Sequence, residues 1–212
     1  MKKPSVKATP HSTPVALQHH DETGLERLIF FSDAVFAIAI TLLALEIRLP
    51  ALPEVVSDAQ LRDALLALAP KYLSYVISFM VIGIFWLGHH RTFHNVVRYD
   101  RRLLWLNLFL LLFIAFIPFP TAVIGEYGNR TGTIFYAATM TMTGILQALV
   151  WWYTKAGGRL LAQPLEIGFY RRNLLRVTLV PTIFLLSIFV AFWDADWAKW
   201  TWLLIAPATL AL

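Results

Sequence analysis

The chain has 212 residues, of which 58% are apolar and 15% charged, and it contains no cysteine. Soluble domains carry roughly 25% charged residues, so an ordinary soluble fold is excluded; the missing cysteine excludes a disulfide framework, a thiolate nucleophile and a cysteine-ligated metal. The net charge of +5 sits on lysines and arginines placed between apolar blocks, which points to membrane topology rather than to nucleic acid.

Residues 1–24 are polar, with Pro4, Pro10, Pro14 and the pair His19-His20. They read as a disordered cytoplasmic tail. No apolar stretch follows Lys2 and Lys3 at once, so no cleaved signal peptide is expected. Residues 25–212 read as one transmembrane domain, because several apolar blocks approach the roughly 20 residues that a hydrocarbon core of about 30 Å requires. The first span covers about 28–49 and is closed by Pro50. Residues 53–68 follow as an outer loop with a short amphipathic helix. The second span covers about 72–88 and the third 103–117, ended by Pro118-Phe119-Pro120 because proline lacks the donor a helix needs. The fourth covers about 132–153. The fifth covers 174–192 and is expected to kink at Pro181. The sixth covers 197–212 and is short for a span.

Charge tests this count. Thirteen basic residues fall before the first span, between the second and third, and between the fourth and fifth; five fall on the other side. The positive-inside rule then places both termini in the cytoplasm; a multi-pass protein of the inner cell membrane is expected. Aromatic residues mark the boundaries, with Trp151-Trp152-Tyr153 at the inner one and Trp193, Trp197, Trp200 and Trp202 at the outer. There is no internal repeat. Six spans of this size enclose little polar pathway, so a conducting or transporting protein of this kind is expected to be a homo-oligomer.

The first span is the most informative. Asp33 inside an apolar helix is costly and needs a partner or a polar cavity. It reads either as a structural polar staple or as an ion or proton site. At 100° per residue, Phe31, Ala34, Ile38, Leu42, Leu45 and Leu49 fall within about 40° of one line. Thr41 flanks this stripe, and Asp33 lies roughly 140° away. Either Asp33 or the aliphatic stripe faces a pathway.

Arg27-x-x-x-Phe31-Ser32-Asp33, followed by Ala-Val-Phe-Ala-Ile-Ala-Ile-Thr-Leu-Leu-Ala-Leu-Glu46, resembles the first-helix signature of the endosomal and lysosomal potassium channels named transmembrane protein 175, in their bacterial single-repeat branch. The resemblance extends to Phe85-Trp86-Leu-Gly-His89-His90-Arg91 and to Leu111–Thr121. It implies an all-α homotetramer in the lipid bilayer, with the first helices around a pore for K+ that has no carbonyl filter. The implied constriction or gate is Ile38, Leu42 and Leu45, and Thr41 is the implied source of potassium preference. Arg27, Phe31, Ser32 and Asp33, with Trp86, His89 and His90, would brace the pore helix. Glu46 would stand at the pore mouth. Aliphatic rings offer nothing in place of hydration and close by dewetting.

Other signals are weaker. Val123-Ile-Gly125-Glu126-Tyr127-Gly128 has the wrong order for a carbonyl filter and reads as an outer turn. His90 and His94 are spaced i, i+4, but no second ligand cluster accompanies them, so no metal or other cofactor is expected. Thr139, Thr141, Thr143, Gly144 and Gln147 read as a helix-packing face. No Walker loop, dinucleotide fingerprint or nucleophile elbow is present, so no enzyme is expected. The alternative function is a secondary or proton-coupled transporter that uses Asp33. A non-conducting scaffold is a third class, with nothing specific in its favour.

Overall fold

The structure, a computed structural model, describes residues 15–156, 158–161 and 167–211. Local chemistry sets most helix ends. α1 (Val15–Leu45) starts inside the stretch expected as tail; the remainder of that stretch, 1–14, lies outside the described residues. α2 (Asp58–Ala67) is opened by a capping box, in which the Ser57 side chain accepts from the Gln60 backbone and the Gln60 side chain accepts from the Ser57 backbone. None of its residues is buried, as suits the expected surface helix. α3 (Ala69–Phe93) begins with Pro70 in its first turn, where a missing N–H costs nothing.

The third span differs from expectation. α4 (Arg101–Phe116) does not end the crossing at Pro118. The chain continues as α5 (Pro118–Tyr127), and the two form one apolar segment of 27 residues. The prolines break the ladder but not the path. Pro118 occupies the first turn of α5, and the Ile114 carbonyl takes the Ile117 N–H at 3.2 Å instead. The Ile117 carbonyl then accepts from both the N–H and the hydroxyl of Thr121, at 3.1 and 2.9 Å. Residues 123–127, expected as an outer turn, are the last turns of α5, and Gly128 closes the helix at φ 54°, where a left-handed backbone favours glycine.

α6 (Arg130–Lys155) is capped by Asn129 and carries the expected threonine face inward. α7 (Ile167–Trp193) contains Pro181 without ending there. The expected sixth span is not one helix. Residues 195–211 form α8 (Ala195–Trp202) and α9 (Ile205–Ala211), and neither is long enough to cross. Lys199 of α8 contacts Gly128 at one end of the bundle, whereas Thr209 of α9 lies beside Gly88 and Arg91 toward the other. Among the described residues, five helical segments are long and apolar enough to span: Gly24–Leu45, Ala69–Phe93, Arg101–Tyr127, Arg130–Lys155 and Arg172–Trp193.

α6 is the centre of the bundle, with Thr133, Tyr136, Ala137, Met140, Thr143, Gly144 and Val150 buried. Lipid tails are as apolar as leucine, so close packing and hydrogen bonds must hold such helices together. Gly144 permits the closest approach: a Cβ there would stand 2.8 Å from the ring of Pro181. Its threonine neighbours donate to backbone carbonyls of their own helix, Thr141 to Ala137 and Thr143 to Thr139.

The two ends of the bundle are tied separately. At the basic end the loop after α3 meets the loop after α6, where Val97 N–H donates to Leu160 O at 2.9 Å. Asp100 caps α4 by accepting from Leu103 N–H at 2.9 Å. It also accepts from the Tyr153 hydroxyl at 2.6 Å and from Arg159 at 3.0 Å. At the other end Lys71 pairs with Glu126 at 2.5 Å, and Lys199 bridges Asp196 and the Gly128 carbonyl, both at 2.7 Å. The two basic loops therefore share one end, as the charge alternation requires.

Burial pushes the Asp100 carboxyl up, but Tyr153, the Leu103 and Arg102 backbone and Arg159 outweigh it and hold it below its ordinary range. A depressed pKa means stability that is present above the unfolded value and lost as pH falls through the folded one. Asp100→Asn should therefore lower the melting temperature of the detergent-purified protein at neutral pH. The deficit should shrink as pH falls through and below about 4, and a deficit that is constant with pH would contradict this account. Gly144→Val should cost about 1–3 kcal/mol by overpacking against Pro181. Gly83→Ala, with open space beside it, should cost nothing. Equal melting temperatures for these two variants would mean that α6 and α7 are not in contact at Gly144.

Candidate functional site

α1 presents unlike faces. Leu25, Leu28, Ser32, Phe36, Ala39 and Leu43 recur at helical spacing, all buried against the rest of the chain. Ile38, Leu42 and Leu45 remain 58%, 39% and 61% exposed, and Phe31 and Leu49 lie bare on the same line. Thr41 is exposed beside them, and its hydroxyl donates to the Ile38 carbonyl at 2.8 Å. Asp33 is half-buried at the edge of the packed face, not at its centre.

The packed face is fastened by a hydrogen-bonded chain across three helices. Ser32 Oγ of α1 donates to the Leu28 carbonyl at 2.8 Å and accepts from Asn107 Nδ2 of α4 at 2.9 Å. Asn107 Oδ1 lies 2.9 Å from His89 Nε2 of α3. An amide oxygen only accepts, so His89 carries its proton on Nε2 and donates. The polarity then runs one way, from His89 through Asn107 and Ser32 to the backbone of α1. All three side chains are at most 1% exposed. The His89 ring also stacks on Phe93 and leans on Phe36, with centroids 4.5 and 5.5 Å apart. A second link lies at the edge, where Trp86 Nε1 donates to Asp33 Oδ1 at 2.8 Å.

Of the seven residues named with the expected brace, Ser32, Asp33, Trp86 and His89 take part in these hydrogen bonds. Arg27 is exposed, with no hydrogen bond or ion pair among the described residues. Phe31 lies on the bare stripe. Both fall outside the network because the 100° step carries positions 27 and 31 away from the face that holds Ser32. His90 is turned out by the same step from His89 and makes only ring contacts, 5.8 Å to Trp86 and 6.4 Å to His94. Glu46 follows the last residue of α1 and lines a cavity of about 330 Å³ with Lys71, Ser74, Thr121 and Glu126.

Asn107 is the member that the sequence reading missed. Its signal was present, as an amide in the middle of the leucine-rich block of α4, where a polar group demands a partner. A second buried cluster was also missed. Ser78 Oγ lies 2.8 Å from Thr121 Oγ1 and 2.9 Å from the Tyr136 hydroxyl, joining α3, α5 and α6.

Asn107→Leu should cost about 1–3 kcal/mol in thermal unfolding, because Ser32 and His89 both lose a partner out of reach of water. Asp33→Asn keeps an acceptor for Trp86 and should be tolerated. Asp33→Leu and Trp86→Phe should each destabilise, and the double variant should cost less than their sum. Strict additivity would break the proposed pair.

The profile of the endosomal/lysosomal potassium channel TMEM175 matches residues 27–118, the part of the chain that holds α1 from Arg27 onward, α3 and α4. A potassium channel of Streptomyces collinus is 36% identical over 180 residues, covering 82% of this chain and 85% of that one. The crystal structure of a lysosomal potassium-selective channel TMEM175 homolog from Chamaesiphon minutus superposes with a TM-score of 0.77 at 30% identity, over 89% of this chain and 97% of that one. The endosomal/lysosomal proton channel TMEM175 of Danio rerio is 26% identical over 181 residues, which is 82% of this chain but 34% of that protein. With the signature of α1, its hydrogen-bonded brace and these likenesses together, the chain belongs to the TMEM175 family.

Proposed function

We propose that the protein is a passive potassium channel of the cell membrane, assembled from four copies whose α1 helices surround the pathway. The observation that carries this reading is the unlike treatment of the two faces of α1. Phe36, Ile82, Leu110, Ile114 and Met140 fill the middle of one chain, all buried, which supports an ion path between copies rather than through one. Lipid alone can cover an aliphatic stripe. Thr41 is exposed beside that stripe with its hydrogen donated to the Ile38 carbonyl, which leaves an acceptor free. A cation path uses such an acceptor.

In this reading Ile38, Leu42 and Leu45 form successive aliphatic rings that exclude water when narrow and conduct when the helices tilt or turn apart. In this reading no carbonyl filter takes part, and the helical form of residues 123–127 supports it. Potassium is preferred because the smaller sodium ion holds its hydration more tightly and is penalised more in a tight apolar ring. The basic end, with both termini, faces the cytoplasm. Glu46 raises the local cation concentration at the opposite mouth. The transporter alternative requires Asp33 as an ion carrier and is not favoured: its carboxylate accepts from Trp86, and the bacterial relative is named a channel.

Purified protein in a planar bilayer, with potassium and sodium on opposite sides, should pass current and reverse at a potential biased toward potassium. Ile38→Asn should raise conductance several-fold and weaken that bias. Thr41→Val should weaken the bias at similar conductance. If Ile38→Asn changed neither quantity, the ring would be misassigned. A reversal potential that follows the pH gradient instead would favour proton conduction, as the name of the Danio rerio relative suggests.

A further inference from the structure

At the basic end, α3, α6, α7 and α9 enclose a cavity of about 150 Å³ on the far side of α3 from the brace. Two guanidiniums line it, Arg91 in the last turn of α3 and Arg176 near the start of the fifth span. Among the described residues that line it there is no carboxylate. Arg91 and Arg172 both stand close enough to repel Arg176. Arg159, at the same end, has Asp100. Among the described residues, Arg91 and Arg176 have no such partner.

Gln147, also in the lining, is 3% exposed, yet among the described residues neither its Nε2 nor its Oε1 has a hydrogen-bond partner. The buried Nε of Arg176 is unpaired as well. An amide left unpaired away from water is costly. Room is kept for this one by Gly88, where a Cβ would stand 3.0 Å from Gln147 Nε2. Two cations, a buried donor and a buried acceptor converge on one space. The occupant they fit is an anion that also carries a hydroxyl.

The walls say where that anion comes from. Away from the arginines the cavity is lined by Met80, Ile84, Val177 and Val180. From Arg91 to Met80 along α3 is about 16 Å, roughly half of a hydrocarbon core of about 30 Å. A free anion would use only the charged end. A lipid uses both ends.

We propose that this cavity binds an anionic phospholipid from the leaflet at the basic end. Its phosphodiester lies between Arg91 and Arg176, a headgroup hydroxyl reaches the Gln147 amide, and an acyl chain follows α3 and α7. This site does not depend on the ion that the channel carries.

The test uses the full chain, purified in detergent and stripped of lipid. Native mass spectrometry then follows added phosphatidylglycerol, phosphatidylcholine and inorganic phosphate. Phosphatidylglycerol should be retained at least about tenfold more tightly than phosphatidylcholine, and millimolar phosphate should not displace it. The double variant Arg91→Gln, Arg176→Gln should lose that preference. Gln147→Glu should lose it as well, because its carboxylate takes the place of the anion while keeping the shape and the fold. Arg62→Gln, on exposed α2, should bind like the unaltered protein. Equal retention of the two lipids would overturn the proposal. So would displacement by phosphate, undiminished binding by Gln147→Glu, or an equal loss in Arg62→Gln.

Discussion

A hydrocarbon layer offers no water to a polar side chain, so whatever polarity the spans carry must be satisfied within the protein. This constraint accounts for how α1 is held. Apolar contacts alone are nearly as good with lipid as with another helix. The hydrogen-bonded run from His89 through Asn107 to Ser32 has no substitute in lipid, and its geometry allows one rotation of α1 about its axis. Phe36, Ala39 and Leu43 then pack because Ser32 has already fixed which way they face. The same logic holds α3, α5 and α6 at Ser78, Thr121 and Tyr136.

Fixing one face of α1 determines what the other presents. The aliphatic stripe lies outward because the packed face lies inward. In the proposed channel, the residues that touch no ion therefore decide which residues do. Asp33 illustrates the point. By residue type it is the natural ion site of the span, yet its carboxylate is engaged at the edge of the packed face by Trp86. Thr41, chemically milder, is left with its acceptor side open.

Much of this was legible in the sequence, for identifiable reasons. The helical period alone separated Ile38, Leu42 and Leu45 from Asp33. Alternating basic loops predicted that the segments around Arg98 and Arg159 share one end, where Asp100 now joins them. The failures are equally specific. Pro118 and Pro120 read as a stop because the rule concerns the ladder; Thr121 supplies a side-chain donor to the Ile117 carbonyl and the helix resumes. The last segment read as a span from its composition, but residues 195–211 bend at Leu203-Leu204 into α8 and α9. Asn107 was overlooked because a lone amide has no period. Its partners lie 75 and 18 residues away in the chain, and nothing local names them.

The position of the brace has a mechanical consequence. Ser32 and Asp33 anchor α1 well below its outer end, so any tilt of the helix about that level would carry its outer part furthest. Along the axis Ile38 stands about 8 Å from Asp33 and Leu45 about 18 Å. Such a tilt displaces Leu45 more than twice as far as Ile38. In the proposed tetramer the aperture would open as a funnel, wide at Leu45 and slow to change at Ile38, so the inner ring would set the throat through which every ion passes.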